Sequence, residues 1–362
     1  MTRVIVAGAG PVGLTAALTL ARGGVPVTVL EAGAGLSADS RASTFHPPTL
    51  EMLATLGVAD ELMERGLLAR TFQYRDRRGG PIATLDLGVL AGDTPYPFRV
   101  QCEQSKLTPI LLEHVRRHGG KVLFGQEVRE VEDRVVTTAA GTRFTGDWLI
   151  AADGAHSAVR QALGIPFEGM TYPESFLVAS VDEDLEALLP GIAPINYVFD
   201  PEEWLVLLRT PDHWRVLLPA GPGELQDRLR AVADPGRDWK VRHTTLYRVH
   251  QRVAARFLHD RVLLAGDAAH VNNPLGGLGM NSGIHDAVLM AGALLGEASL
   301  AEVAEKRREV ALGHVQMISH GNWERMRSPD RHDELRALAA DGEAARAYLL
   351  RACLISSLRE PG

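Results

Sequence analysis

Apolar and polar positions along the chain change rhythm three times. Val4-Ile5-Val6-Ala7 is a short unbroken apolar run closed by Gly8, the pattern of a strand buried on both faces. Leu14, Ala17, Leu18 and Ala21 then recur at helical spacing, with Pro11 in the first turn and Gly23-Gly24 as the stop. Residues 25–30 predict a second strand with Glu31 at its end, completing a βαβ unit. A Gly/Ser/Ala-rich loop follows to Pro48, and helices are predicted near residues 50–56 and 59–65. Residues 71–75 and 82–87 alternate as paired strands across Arg77-Arg78-Gly79-Gly80. Residues 105–118 read as a helix ended by Gly119-Gly120, and short alternating runs over 121–150 suggest a small antiparallel meander. From residue 174 to 249 the texture changes. Strands are predicted at 178–181, 195–199, 204–209, 214–219 and 241–249, separated by Pro, Asp and Gly turns. An aliphatic strand returns at Arg261-Val262-Leu263-Leu264, and beyond Asn281 the chain is mostly helical.

Three separated segments share one local design: Gly8-Ala9-Gly10-Pro11-Val12-Gly13, Ala152-Asp153-Gly154-Ala155 and Gly266-Asp267-Ala268-Ala269-His270. Each follows an aliphatic run and reads as opening into a helix. Such a junction presents free backbone N–H groups and a positive dipole end, which suit phosphates and polyols. In the first segment glycine permits a tight turn and close approach of backbone to a pyrophosphate. Glu31 is placed to accept hydrogen bonds from a ribose 2′-hydroxyl, and Arg41 in the following loop is a cation for phosphate. Taken alone, this segment fits NAD as well as FAD. The third segment separates them. Asp267 ends a strand with a carboxylate suited to the hydroxyls of a ribityl chain, at a second, distant part of a long cofactor. The side-chain-poor loop Pro274-Leu275-Gly276-Gly277-Leu278-Gly279-Met280-Asn281 would let a flat ring lie against backbone N–H groups, with a helix dipole stabilising charge on reduced flavin.

With these motifs the chain resembles the group A flavoprotein aromatic hydroxylases, the p-hydroxybenzoate hydroxylase family, over residues 1–300. The resemblance implies an α/β protein: a Rossmann-like FAD-binding domain, an inserted, mostly antiparallel β-sheet substrate domain, and C-terminal helices. The expected division is FAD-binding parts 1–70, 100–173 and 256–320, a substrate-domain hairpin 71–99, a substrate domain 174–255, and helices 321–362. By resemblance, Gly8, Gly10, Pro11, Val12, Gly13 and Glu31 hold the ADP half of FAD, Arg41 matches an arginine after the second strand, and Gln104 matches a flavin-contacting glutamine. Asp153 serves FAD and a transiently bound nicotinamide cofactor, Asp267 the ribityl chain, and Gly279, Met280 and Asn281 the isoalloxazine edge. Tyr197, Arg215 and Pro274 are expected at the reacting end. Tyr197 lies on a stretch resembling the strand with the family's phenol-contacting tyrosine. The positions that grip a benzoate carboxylate fall on Leu208 and Thr210, which cannot pair with an anion, whereas Arg215 keeps an acidic substrate open. A larger or less acidic ring than 4-hydroxybenzoate is therefore expected. Leu278 departs from the family, which often carries a polar residue there.

The implied activity is NAD(P)H- and O2-consuming hydroxylation of an aromatic or electron-rich small molecule, with oxygen adding at flavin C4a. The protein would position the ring, exclude water and deprotonate the substrate. Three alternatives remain at this level: a flavin reductase or dehydrogenase that does not oxygenate, a non-enzymatic FAD-binding module, and a flavin halogenase. Halogenases carry Trp-x-Trp-x-Ile-Pro, whose nearest match, Trp214-Arg215-Val216-Leu217-Leu218-Pro219, lacks the second tryptophan.

Composition narrows the setting. A net charge of −7 without a dense basic run argues against a nucleic-acid partner. Cys102 and Cys353 cannot form a disulfide framework and are expected as buried or half-buried thiols. No apolar stretch reaches the ~18 residues that span a bilayer. Met1-Thr2-Arg3 leads straight into a strand, so no signal peptide is expected and the protein is read as cytoplasmic, a monomer or homodimer. His46, His213, His250 and His285 lack metal-ligand spacing, His270 reads as a helix-start histidine satisfied by backbone, and Arg75-Asp76-Arg77-Arg78 as a solvated hairpin, with contact to a coenzyme phosphate as the alternative. Trp204 and Trp214 read as sheet core, and the stripe Ala345, Tyr348, Leu349, Ala352, Ile355 as a helix packed on its own domain, with a dimer contact as the alternative.

Overall fold

The computed structural model describes residues 2–38, 42–328 and 332–359. Its centre is a six-stranded sheet in the order Leu258–His259, Val262–Leu264, Trp148–Ala151, Val4–Ala7, Val27–Leu30 and Lys121–Leu123. All neighbours run parallel except the Leu258–His259 edge. The Val4–Ala7 strand is buried along its whole length, as its unbroken apolar run requires. Helix Pro11–Arg22 buries Leu14, Ala17, Leu18 and Ala21 and packs against helices Leu278–Leu294 and Gln104–Arg117. Strands Val128–Glu132, Val135–Thr138 and Arg143–Thr145 form the antiparallel meander, but Lys121–Leu123 belongs to the main sheet.

A second, eight-stranded sheet has the order His270–Val271, Val241–Ala254, Phe167–Val181, Trp214–Pro219, Leu205–Arg209, Ile195–Phe199, Thr71–Asp76 and Gly80–Asp86. The expected hairpin thus joins this sheet, pairing parallel to Ile195–Phe199. One face packs on helices His332–Ala340 and Gly342–Ala352, which supply Leu335, Ala345 and Leu349. The other face closes over Leu185, Leu229, Trp214 and Trp239.

Several elements differ from the sequence reading. The strand expected at 178–181 begins eleven residues earlier, at Phe167, and passes Pro173 through a register shift between Thr171 and Ser175, where the missing N–H is tolerated. The third glycine segment does not open into a helix: one 3-10 turn, Gly266–Ala268, leads to strand His270–Val271, which the edge of Val241–Ala254 recruits. His270 is buried and bonded to the Asp286 side chain rather than to backbone. Arg75 is buried too, donating to Gln73 Oε1, and Arg77 pairs with Glu203 at 2.7 Å, so that hairpin is not simply solvated. Cys102 and Cys353 are free and buried. Among the described residues no helix is long and apolar enough to cross a membrane, and no His/Cys/Asp/Glu cluster could hold a metal.

Candidate active site

Three neighbouring parallel strands, Val262–Leu264, Trp148–Ala151 and Val4–Ala7, bring the three glycine-containing segments to one edge of the main sheet. A ligand crevice forms outside the carboxyl ends of such strands. The cavity here is about 710 Å³ and runs from that edge to the face of the eight-stranded sheet. Gly8, Gly10, Pro11, Val12, Glu31, Gln104, Asp153, Asp267, Gly279 and Met280 all lie on its wall.

The turn after Val4–Ala7 depends on glycine. Gly8 has φ +100°, and a Cβ there would sit 2.3 Å from the Ala152 carbonyl oxygen, so the first two segments touch only because that position carries no side chain. At Gly10 a Cβ would meet no atom within 4 Å, because the position faces the open cavity. Gly13 lies behind the wall, packed against Gly8. Glu31 accepts the Ala9 N–H at 2.6 Å through one carboxylate oxygen and the Gly33 N–H at 2.8 Å through the other. It therefore ties the glycine turn to the end of the second strand. Asp153 accepts the Val159 N–H at 3.2 Å through Oδ2, while its buried Oδ1 has no hydrogen-bond partner. Burial raises its pKa against the bonds from Ser157 and Val159. An orphaned buried carboxylate oxygen beside a glycine cradle fits a cofactor rich in hydroxyls and amides. Arg41 lies outside the described residues.

Asn281 does not reach the cavity. It is fully buried, donates to the Thr44 and Gly277 carbonyls at 2.8 and 2.6 Å, and accepts the His46 N–H at 2.9 Å. The helix starts at Leu278, so Gly279 and Met280 sit in its first turn. Pro274 lines the cavity, and its carbonyl accepts the Gly277 N–H at 3.0 Å.

At the far end the eight-stranded sheet supplies the floor. Register places Tyr197, Val206, Leu217 and Val178 in one cross-strand row, with Leu208 and Arg215 paired in the next. All six line the cavity. Burial raises the Tyr197 pKa, opposed by Arg99, so its hydroxyl stays protonated at neutral pH. Arg215 is the one arginine or lysine among the described wall residues, and its Nη1 donates to Ser43 Oγ at 3.3 Å. Burial lowers its pKa, against the pull of Tyr247 and Glu103. Thr210 is turned away, donating to the His213 carbonyl at 2.9 Å, and Arg209 lies on the opposite face near Glu186 and Trp214. Tyr247 was missed in the sequence, although alternation along Val241–Ala254 puts it on the cavity side.

Behind the third segment lies a buried ionic group that no spacing announced. Asp286, on helix Leu278–Leu294, accepts the Gly266 N–H at 3.0 Å and pairs with His270 at 2.9 Å and Arg307 Nε at 2.7 Å. Arg307 also donates to Ser282 Oγ at 2.8 Å. The group holds the backbone immediately before Asp267.

The chain as a whole is similar to known proteins. Residues 1–307 match the family described as FAD binding domain. The chain is 34% identical to the para-nitrophenol 4-monooxygenase of Pseudomonas sp. (strain WBC-3), over 94% of this chain and 91% of that one. It is 36% identical to the 6-hydroxy-3-succinoylpyridine 3-monooxygenase of Pseudomonas putida (strain DSM 28022 / S16), over 81% and 79% of the two chains. The crystal structure of p-nitrophenol 4-monooxygenase from Pseudomonas putida DLL-E4 superposes with TM-score 0.91 at 32% identity, covering 100% of both chains. Aklavinone-11 hydroxylase in its complex with FAD and aklavinone gives TM-score 0.78 at 29% identity, covering 92% of this chain and 70% of the other. The chain therefore belongs to the FAD binding domain family and is an FAD-dependent aromatic monooxygenase, with NAD(P)H as that family's usual reductant.

Proposed function

We propose that the substrate is a phenol without a ring carboxylate, hydroxylated with NAD(P)H and O2. The observation that carries this reading is the floor of the cavity. Tyr197, Val206, Leu217, Val178 and Leu275 present apolar surface and one hydroxyl, and Arg215, the one arginine or lysine among the described wall residues, stands in the next row at the Ser43 and Tyr247 side. A carboxylate buried over that row would lack a partner, at a cost of several kcal/mol. The relatives named for nitrophenol and hydroxypyridine oxidation support a small ring.

In this reading the glycine turn, Glu31, Asp153 and Asp267 bind FAD, Gln104 and Met280 flank its ring, and Pro274 fixes the loop beside it. When bound, FAD supplies the oxygen-activating chemistry. Tyr197 Oη, kept protonated by burial, hydrogen-bonds the phenolic oxygen and orients the ring. The apolar row excludes water. On this reading the cofactor-binding and substrate parts divide near the bounds expected from the sequence, with Phe167–Val181 and His270–Val271 joining the substrate sheet, and the molecule works in the cytoplasm as a monomer or homodimer.

The test is anaerobic flavin reduction by NADH and NADPH against a phenol panel that includes 4-nitrophenol and 4-hydroxybenzoate, followed by mass spectrometry of aerobic products. A non-carboxylated phenol should accelerate reduction and take one oxygen atom from O2 onto the ring, with nitrite released where the oxidised carbon carries the nitro group of 4-nitrophenol. Tightly coupled turnover of 4-hydroxybenzoate would overturn the pocket reading while leaving the cofactor assignment intact.

A further inference from the structure

The loop Asn272–Gly277 forms one wall of the cavity, yet it ends in two glycines with positive φ, Gly276 at +111° and Gly277 at +67°. A loop of that composition has little intrinsic stiffness. Its shape is imposed from behind by a buried polar cluster. The Asn273 side chain is fully buried and fully used: Nδ2 donates to Tyr172 Oη at 2.8 Å and to the Ser319 carbonyl at 2.9 Å, and Oδ1 accepts the Leu275 N–H at 3.0 Å. Tyr172 Oη donates its single proton to Gln251 Oε1 at 2.9 Å. Since Asn273 Nδ2 can only donate, His320 Nδ1, 2.9 Å from the same oxygen, must carry hydrogen. Asn322 Nδ2 donates to the Leu275 carbonyl at 3.2 Å, adding a second tie to the same helix.

That helix, Met317–Met326, is preceded by a widened π-helical stretch, Ala311–Gln316. The Gln316 carbonyl accepts Gln251 Nε2 and Ser319 Oγ, each at 3.2 Å. Widened turns of this kind frequently accompany functional sites. Here the turn brings Ser319 and Asn322 against the loop.

We infer that Asn273 and Tyr172 are positioning residues for the flavin: they clamp the loop between strand Phe167–Val181 and helix Met317–Met326, and so set where the ring lies over the Tyr197 row. The inference rests on the FAD reading of the cavity and adds to it a clamp built from residues that do not touch the reacting atoms.

Tyr172→Phe removes one hydroxyl and keeps the ring that packs on Trp323 at 5.2 Å, so it preserves the fold, and Asn273→Ala removes all three side-chain bonds of Asn273 while the Asn322 tie remains. Flavin retention by the wild-type chain, measured first, reports on the cofactor reading alone. Hydrogen exchange of the Leu275 amide in the apoprotein then reports on the clamp without cofactor. Both variants should exchange that amide faster by about two- to tenfold, the equivalent of one buried neutral hydrogen bond. In the holoprotein they should shift the visible flavin spectrum and lower product formed per NAD(P)H, with hydrogen peroxide making up the difference, while the Kd for FAD changes little. Wild-type exchange in both variants overturns the inference. So does faster exchange with an unchanged flavin spectrum and unchanged coupling, which would make the cluster merely structural.

Discussion

Replacing Asp286 by alanine exposes how much the fold relies on the ionic group behind Gly266. Asp286 is 0% exposed and Arg307 is 1% exposed. Without the carboxylate, Arg307 keeps only Ser282 as a hydrogen-bond partner, and the Gly266 N–H loses its acceptor. Breaking a buried pair on one side costs about 3–5 kcal/mol, because the remaining charge is left uncompensated. Removing both partners in Asp286→Leu/Arg307→Met should cost less than the sum of the singles, since no charge is left uncompensated and the residual penalty is that of the orphaned Gly266 amide and the unpartnered His270 ring. Urea unfolding followed by circular dichroism at neutral pH, on the wild type, both single variants and the double variant, closes the cycle. The pH dependence has a definite sign. Burial alone would raise the Asp286 pKa, but Arg307 and His270 outweigh it, and the net shift is downward from 3.8. The stabilisation is therefore complete above that ordinary value and is lost as pH falls through the lower folded one, so Asp286→Asn should flatten the acid limb of the stability profile. A single-variant loss below about 1 kcal/mol, or a double variant equal to the sum of the singles, would refute the reasoning.

Gly8→Ala should abolish FAD retention, because the added methyl must occupy the space of the Ala152 carbonyl; gel filtration with absorbance at flavin and protein wavelengths checks it. Tyr197→Phe should slow hydroxylation several-fold more than flavin reduction in stopped-flow traces, since only the oxygen-transfer step needs the phenol oriented. His285, buried against Thr49, has its pKa lowered from 6.5 to about 3 by burial, with Arg307 adding to the fall. The unfolded chain takes up that proton first, so stability should decline between pH 6.5 and about 3, and His285→Gln should reduce that decline in acid-unfolding curves.

Local chemistry explains what the sequence revealed. The strand-turn-helix at Gly8–Gly13 is legible because each step of it, apolar run, glycine, proline, stripe, is written within a few residues. Strands Ile195–Phe199 and Trp214–Pro219 are legible because turns bracket them closely. What failed to show was long-range. Nothing near His270 marks it for a strand, since its partner Val253 decides that, and Pro173 hides a fifteen-residue strand that continues through an irregular register. Asn281 reads as a cavity residue from its motif, yet its side chain reaches back to Thr44, 237 positions away. The Asn273 clamp joins residues 101 positions apart, and no spacing rule connects them.

The order of strands in the central sheet also bears on how the protein comes into being. Its first strand lies between the second and Trp148–Ala151, with Val262–Leu264 beyond, and the amide before Asp267 is held by Asp286. A nascent chain thus presents its first glycine segment long before the third exists. Contacts of such sequence separation form slowly, because chain entropy must be surrendered before they reward it. A cofactor that engages all three segments would bind only after the third has been made. Cells short of flavin would accumulate a folded but less stable apoprotein, and flavin supply would set how much of it survives quality control.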